Sequence, residues 1–98
     1  MSTTLYVKAD QHQTAILQLV KSTIDVEITK LELAIEMADK RLEPFENRYH
    51  VTSEDFLRRF TAEDLDGGDD EYVCWVGEYR LKQRILEKLH YLRGIENN

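Results

Sequence analysis

The sequence predicts a mainly α-helical, elongated protein in which two long helices form an antiparallel hairpin and two such chains form a dimeric helical bundle. Three observations point to this class. The 98 residues include only four Gly and one Pro, whereas a sandwich or barrel needs a turn about every ten residues. Apolar residues recur at helical spacing through the first half of the chain. The excess of negative charge falls in one short segment, which is a loop by composition.

The length and composition indicate one domain, residues 1–98, with a single core. One cysteine forms no internal disulfide, and no Cys/His cluster suggests zinc, so we expect a reducing compartment. No leader-like start or long apolar run appears in the sequence. We therefore expect a cytoplasmic protein without membrane contact.

The first long helix is the clearest prediction. No Gly or Pro occurs between Gln11 and Glu43, and steps of three and four separate the apolar residues, as in the packed stripe of a helix. This stripe keeps its phase beyond Pro44, so we predict a helix over about residues 11–49 that is kinked at Pro44. The stripe consists of Leu17, Val20, Ile24, Ile28, Leu31, Ile35, Ala38, Leu42, Phe45 and Tyr49.

The other elements follow from local signals. The alternation in residues 5–9, LYVKA, fits a short N-terminal strand. Thr52 and Ser53 before two acidic residues mark the start of a short helix over residues 53–60. An acidic loop over residues 61–70 comes next. A second long helix then spans residues 70–92, ended by Gly94.

The geometry of the first helix predicts an oligomer. A helix over residues 11–43 is about 50 Å long, whereas a compact 98-residue domain is about 32 Å across. The second long helix is too short to cover the stripe, so a second copy or a different protein must bury the remainder. We expect a homodimer, with an interface formed by Ile24, Ile28, Leu31, Ile35 and Leu42.

The net charge of -6 arises between residues 63 and 71. Six acids and no base lie there, and the other 13 acids balance the 13 bases. The spacing fails the calcium-loop pattern, because neither Asp64 nor Asp66 as first ligand puts Glu at position twelve. His12, His50 and His90 are far apart, so no metal or cofactor is predicted. A solvated loop, an irregular metal site and a patch facing a basic partner all remain open for the acidic segment.

The second long helix carries an aromatic stripe at spacing three and four, Tyr72, Trp75 and Tyr79. Core packing and a partner-binding hot spot both explain such a stripe. Cys74 beside it is expected to be a small buried hydrophobe. Gly77 costs about 1 kcal/mol relative to Ala in a helix, which suggests that another group approaches it closely.

Glu78 and Lys82 also lie within the apolar arc of this helix. Their spacing fits a salt bridge at the edge of an interface, where buried charges fix register or partner choice.

Other function classes have less support. A strand followed by a helix would suit a ribbon-helix-helix DNA-binding protein. However, Lys8 is the only base before Lys21, and a groove-reading protein needs several phosphate contacts. Nucleic acid is therefore not the expected partner. The sequence contains no catalytic triad pattern, phosphate loop or nucleotide fingerprint, so we do not expect an enzyme.

The second half of the chain resembles the antitoxin half of small prokaryotic type II toxin-antitoxin pairs, over about residues 47–90. The resemblance rests on the turn Asn47-Arg48-Tyr49-His50, the helix start from Ser53 to Phe56, and the pair Arg59-Phe60. It continues in the acidic loop and in the aromatic helix with Trp75 and Tyr79. His50 stands where the pattern has Gly.

The resemblance implies a noncatalytic protein that binds and neutralises a toxin, commonly a ribonuclease, and in many such families also represses its own operon. We therefore expect a protein-binding module whose partner has a basic surface. The expected contact residues are Asp64, Asp66, Asp69, Asp70, Tyr72, Trp75 and Tyr79. A DNA-binding regulator that uses the N-terminal strand and helix, and a purely structural homo-oligomer, are the alternatives.

Overall fold

The computed structural model describes residues 9–97, which form three α-helices and one 3-10 turn. Helix α1 spans Ala9–Tyr49, α2 spans Ser53–Arg59, the 3-10 turn spans Ala62–Asp64 and α3 spans Gly68–Asn97. The molecule measures 63 × 21 × 18 Å. The prediction of a mainly α-helical, elongated protein is confirmed. Residues 5–8 of the expected strand lie outside the described residues, and Ala9 already belongs to α1.

Helix α1 continues through Pro44 and ends at Tyr49. His50 follows with a φ of 54°, the left-handed conformation that commonly ends a helix and that Gly adopts most easily. The Val51 amide donates to the Glu46 carbonyl at 3.2 Å, which is the long hydrogen bond of a Schellman C-cap. His50 therefore makes the turn in which the antitoxin pattern has Gly.

Helix α2 is started by its cap. The Thr52 hydroxyl accepts a hydrogen bond from the Asp55 amide at 3.2 Å, and Glu54 and Asp55 lie in the first turn. The Thr52 hydroxyl satisfies one of the free amides at the helix start, and the two acidic side chains complement the positive end of the helix dipole. The predicted helix over residues 53–60 is thus present as Ser53–Arg59.

The predicted acidic loop contains a 3-10 turn and a sharp entry into α3. Gly68, the first residue of α3, has a φ of +61°, a conformation that favours glycine. Helix α3 continues past Gly94 to Asn97, so Gly94 does not end it as the sequence predicted. Gly94 has no positive φ among the backbone angles of the described residues, and a helical Gly costs only about 1 kcal/mol.

Helices α1 and α3 lie side by side and run in opposite directions. Ion pairs join Arg41 to Glu78, Asp39 to Lys82 and Glu32 to Arg93. Along these three ion pairs, the residue number in α1 falls from 41 to 32 while the residue number in α3 rises from 78 to 93, as in an antiparallel pair. Glu78 and Lys82 thus each pair with α1, and these partly exposed ion pairs add little to the stability of the helix pair.

The hydrophobic core lies at the end of the molecule where α2 joins the long helices. Its buried residues come from all three helices and their connections, and half-buried aromatic residues surround them. The buried set is Leu42, Val51, Phe56, Leu65 and Trp75. The two long helices are therefore held together at this end by a packed core.

Gly77 has no close neighbour, which contradicts the expectation that another group approaches it. A Cβ added at Gly77 meets nothing within 4 Å. Gly77→Ala is therefore expected to raise the free energy of unfolding by about 1 kcal/mol through helix propensity alone.

Urea denaturation checks this expectation, and Gly68→Ala serves as the matched control. Gly68 also has open space around it but has a positive φ, so its replacement is expected to destabilise the protein. A destabilised Gly77→Ala variant would contradict the helix geometry around this residue.

Candidate protein-binding surface

Trp75 is the centre of the core and is not exposed to a partner. Its side chain is 0% exposed and stacks on Phe56 with ring centroids 3.7 Å apart and planes 2° apart. Phe45 and Tyr49 stack beside the same indole at 5.3 and 5.7 Å. Core packing, and not a partner-binding hot spot, therefore explains Trp75 in the aromatic stripe. The prediction that Trp75 contacts a partner does not fit this buried position.

Tyr72 and Tyr79, the other two members of the aromatic stripe, are half-buried and pack against this core. Tyr72 also lies against Phe56, at 5.4 Å between ring centroids. The outer edges of the two tyrosines are accessible, so they reach the surface where Trp75 does not.

A buried chain of hydrogen bonds fixes the Trp75 ring. The indole Nε1 donates to Ser53 Oγ at 2.8 Å, and Ser53 Oγ donates to Glu46 Oε2 at 2.7 Å. The Ser53 amide donates to the same carboxylate oxygen at 2.9 Å. Because Ser53 is 1% exposed and Trp75 is 0% exposed, the Ser53 hydroxyl and the indole N–H have no water to replace a lost partner.

The acidic segment is tied to α1 by Glu71. Its Oε2 accepts from Arg48 at 2.8 Å, and its Oε1 accepts from the Tyr49 hydroxyl and from the Gly67 amide. Tyr49 in turn accepts from the Asp66 amide at 2.9 Å. Arg48 also pairs with Asp66 at 3.0 Å. Two of the six acids thus bind residues of α1.

These contacts shift the pKa values of Tyr49 and Arg48, the two residues of α1 that bind the acidic segment. Burial raises the pKa of the Tyr49 hydroxyl above its usual range, and the hydrogen bond that it donates to Glu71 adds to this shift. The hydrogen bond to Asp66 and the charge of Glu71 raise the pKa of Arg48. Tyr49 therefore remains a neutral donor at neutral pH, and Arg48 remains a cation.

The remaining acids of the segment differ in their availability. Asp64 caps the 3-10 turn by accepting from the Thr61 amide at 2.8 Å. Glu63, Asp69 and Asp70 are exposed, and among the described residues no ion pair involves them. Asp69 and Asp70 also lie in the first turn of α3, where negative charge is favourable. Of the four predicted contact acids, these two are the most available to a partner.

The expected dimer residues lie on the side of α1 that faces α3. Ile28 and Leu42 are buried, at 8% and 1% exposure, and Ile24, Leu31 and Ile35 are half-buried. Helix α3 therefore covers much of the stripe that the sequence assigned to a second copy. A dimer contact by these residues stays a prediction.

A second apolar stripe, which the sequence analysis missed, lies on the opposite side of α1. We call it the outer stripe; its members, Leu19, Val26, Leu33 and Met37, are 51–68% exposed. Steps of seven and four place them on one face. Ile28 is nine residues after Leu19, which is half a turn out of phase, so the outer stripe points away from the core.

Acidic side chains border the outer stripe. Asp25, Glu36 and Glu43 are exposed, and their spacing of eleven and seven residues places them along one edge of α1. No ion pair among the described residues involves them. Lys30, four residues after Val26, and Lys40, three residues after Met37, are also exposed and lie within or beside the stripe. The outer face of α1 therefore combines an apolar line with charges of both signs.

Helix α3 presents a different outer surface. Arg80, Arg84 and Lys88 follow one another at intervals of four residues and are exposed. Cys74 is also exposed, so the prediction that it is a buried hydrophobe is wrong. It lies one residue before Trp75, and the neighbouring position on a helix points about 100° away from the core.

Neither a metal-binding cluster nor a membrane-spanning helix is found among the described residues. No group of three or more His, Cys, Asp or Glu side chains there is arranged to hold a metal ion. None of the helices described is long and apolar enough to cross a membrane. The surfaces described so far are the outer stripe of α1, the exposed acids near the α3 start and the cationic row Arg80, Arg84 and Lys88 on α3.

Comparisons with known proteins give no assignment. No protein-family model, no curated protein and no solved structure matches the chain.

Proposed function

We propose that this protein is a noncatalytic module that binds another protein through the outer stripe of α1. The observation that carries the proposal is the exposure of Leu19, Val26, Leu33 and Met37 in one line on a helix whose opposite face is packed. Scattered apolar residues are normal on a protein surface, whereas aligned ones mark interaction sites. A helix face with anchors at such intervals is suited to an apolar groove on a partner.

The charge beside the stripe defines the partner further. Asp25, Glu36 and Glu43 lie on one side of it, and Lys30 and Lys40 lie within or beside it, so the rim of the partner's groove is expected to carry charges of both signs. Asp69 and Asp70 at the start of α3 offer a second contact to a basic surface. A ribonuclease is such a partner, because an enzyme that cleaves RNA needs cations for phosphate.

An antitoxin-like role is consistent with this surface and with the resemblance in residues 47–90. In that role the protein would neutralise the product of the neighbouring gene by covering its basic, RNA-binding surface. Binding alone, without chemistry by this chain, suffices for such inhibition.

The experiment is a titration of the neighbouring gene's product with the purified protein, read by calorimetry and by RNA cleavage. Leu33→Asp/Met37→Asp is expected to weaken binding at least tenfold, because two apolar anchors of the contact become charges that binding would have to desolvate. Both positions are more than half exposed, so the helical circular dichroism should stay unchanged.

Tyr91→Asp is the matched control, since Tyr91 is 61% exposed but lies on α3, about 30 Å along the helix from Asp70. It is expected to bind as the unaltered protein does. Equal binding by the α1 variant, or loss of binding in the α3 control alone, would refute the outer stripe as the contact surface.

A further inference from the structure

The second half of α3 is basic, although the chain as a whole is acidic. Residues 80–93 contain five bases and one acid, whereas the net charge of the whole sequence is -6. Two of these bases, Lys82 and Arg93, pair with Asp39 and Glu32 of α1. The other three bases are exposed, and no ion pair among the described residues involves them. They form the cationic row, Arg80, Arg84 and Lys88.

The cationic row lies on the side of α3 that faces away from α1. Steps of four residues keep its members on one broad face, which is about 12 Å long. Arg84 and Arg93 are nine residues apart, which places them on opposite sides of the helix. Because Arg93 pairs with α1, Arg84 points away from α1. The row and the outer stripe therefore lie on opposite sides of the helix pair.

An open recess runs beside the cationic row. It has a volume of about 620 Å³ and is lined by Arg80, Gln83, Arg84 and Glu87. The lining groups are two guanidinium groups, an amide and a carboxylate. Guanidinium groups bind phosphates, and amide and carboxylate groups bind the edges of nucleic-acid bases. The recess thus offers groups for both parts of a nucleotide.

An exposed aromatic ring continues the same face. Tyr91 follows Lys88 by three residues and is 61% exposed. Its hydroxyl donates to Glu87 Oε1 at 3.5 Å, so the ring lies next to the recess. Proteins that bind single-stranded nucleic acid combine basic side chains, which contact the phosphates, with exposed rings on which bases stack.

We propose that the cationic row, the recess and Tyr91 bind single-stranded nucleic acid. The row contacts phosphates, Gln83 and Glu87 contact base edges, and Tyr91 stacks on a base. The proposal goes beyond the binding of a protein partner by the outer stripe, because it uses the other side of the molecule. It also differs from the DNA-binding alternative, which placed the nucleic acid at the N-terminal strand and helix.

The polar character of this face favours nucleic acid over an acidic protein. The centre of a protein interface needs apolar anchors, whereas contacts to phosphates dominate the binding of nucleic acid. All the residues of the row and of the recess are polar. Leu81, which is 40% exposed, lies at the edge of the row and not at its centre.

The acidic segment does not cancel the charge of the row. Asp70 is about 15 Å from Arg80 along α3, and charges are largely screened beyond about 8 Å at physiological salt. Glu87 is the single acid among residues 80–93, and its carboxylate accepts from Tyr91. Three bases against one acid leave this face positive, so it attracts a polyanion.

Fluorescence anisotropy of a labelled single-stranded RNA of mixed sequence tests the proposal with the whole protein and without a protein partner. The logarithm of the affinity should fall with the logarithm of the salt concentration with a slope of about -2, because each of three phosphate contacts contributes about -0.7. Arg80→Gln/Arg84→Gln/Lys88→Gln should weaken binding at least tenfold at low salt, with its helical circular dichroism kept.

The matched control removes the same number of charges from α1. Lys21→Gln/Lys30→Gln/Lys40→Gln changes three exposed lysines that form no ion pair among the described residues. This variant should bind the RNA within about threefold of the unaltered protein. An equal loss of affinity in both triple variants would mean that net charge alone matters, and it would overturn the proposal.

Two further measurements separate nucleic acid from other polyanions. Tyr91→Leu should weaken binding about tenfold, whereas Tyr91→Phe, which keeps the ring, should bind as the unaltered protein does. Polyglutamate should compete with the RNA poorly, because it has no bases to stack. Equal competition by polyglutamate would show an acidic protein to be the better occupant and refute nucleic acid. Failure of the unaltered protein to bind RNA at low salt would also refute it.

Discussion

Trp75→Ala is expected to lower the free energy of unfolding by about 3–5 kcal/mol, the usual cost of removing a large buried aromatic side chain. Trp75 is 0% exposed, and its ring contacts Phe56 from α2 and Phe45 from α1. The substitution therefore leaves a cavity between all three helices. This loss is a large fraction of the total stability of about 5–15 kcal/mol that is usual for native proteins.

Urea denaturation followed by circular dichroism measures this loss. Tyr91→Ala is the control, because Tyr91 is an aromatic residue of the same helix that is 61% exposed. Its replacement should change the stability by no more than about 0.5 kcal/mol. A Trp75→Ala variant as stable as the control would mean that α2 does not pack on the indole.

Ser53→Ala is expected to cost about 1–3 kcal/mol although it removes a single oxygen atom. That oxygen accepts from Trp75 Nε1 and donates to Glu46, so the change leaves a buried indole N–H without a partner. The Glu46 carboxylate keeps only the Ser53 amide, at 2.9 Å, from this chain of hydrogen bonds. Removing an acceptor costs more stability when the donor that it leaves behind is buried than when water can reach that donor.

The same denaturation experiment includes Ser53→Thr, which keeps a hydroxyl at this position. The Thr variant should recover part of the lost stability if the hydrogen bond matters more than the packing. Equal losses in the Ala and Thr variants would contradict the role of the hydroxyl and favour a steric explanation.

The helices were predictable because their signals are local. A continuous apolar period predicts α1, and the Thr52 cap with Glu54 and Asp55 predicts α2. The end of α3 was not predictable in this way, because a Gly permits a helix end without requiring one. Helix α3 continues through Gly94, since nothing local forces its backbone out of the helix.

The surface was harder to predict. The stripe of α1 that faces α3 dominates the hydrophobic pattern of the sequence. The outer stripe with Leu19 and Leu33 also has a regular, seven-residue spacing in the sequence, but the stronger pattern hides it. Composition identified the acidic segment, but only coordinates reveal that Glu71 binds Arg48 and Tyr49. Cys74 is exposed because it lies about 100° around the helix from the buried Trp75. The apolar composition of the segment does not show which of two neighbouring residues faces the core.

Hydrogen exchange on the complex with the neighbouring gene's product tests the proposed function most directly. Added partner should slow exchange of the α1 amides over about residues 19–37, where the outer stripe lies. The amides of α3 around Tyr91 should exchange as they do in the free protein. Protection confined to α3, with α1 unchanged, would contradict the account.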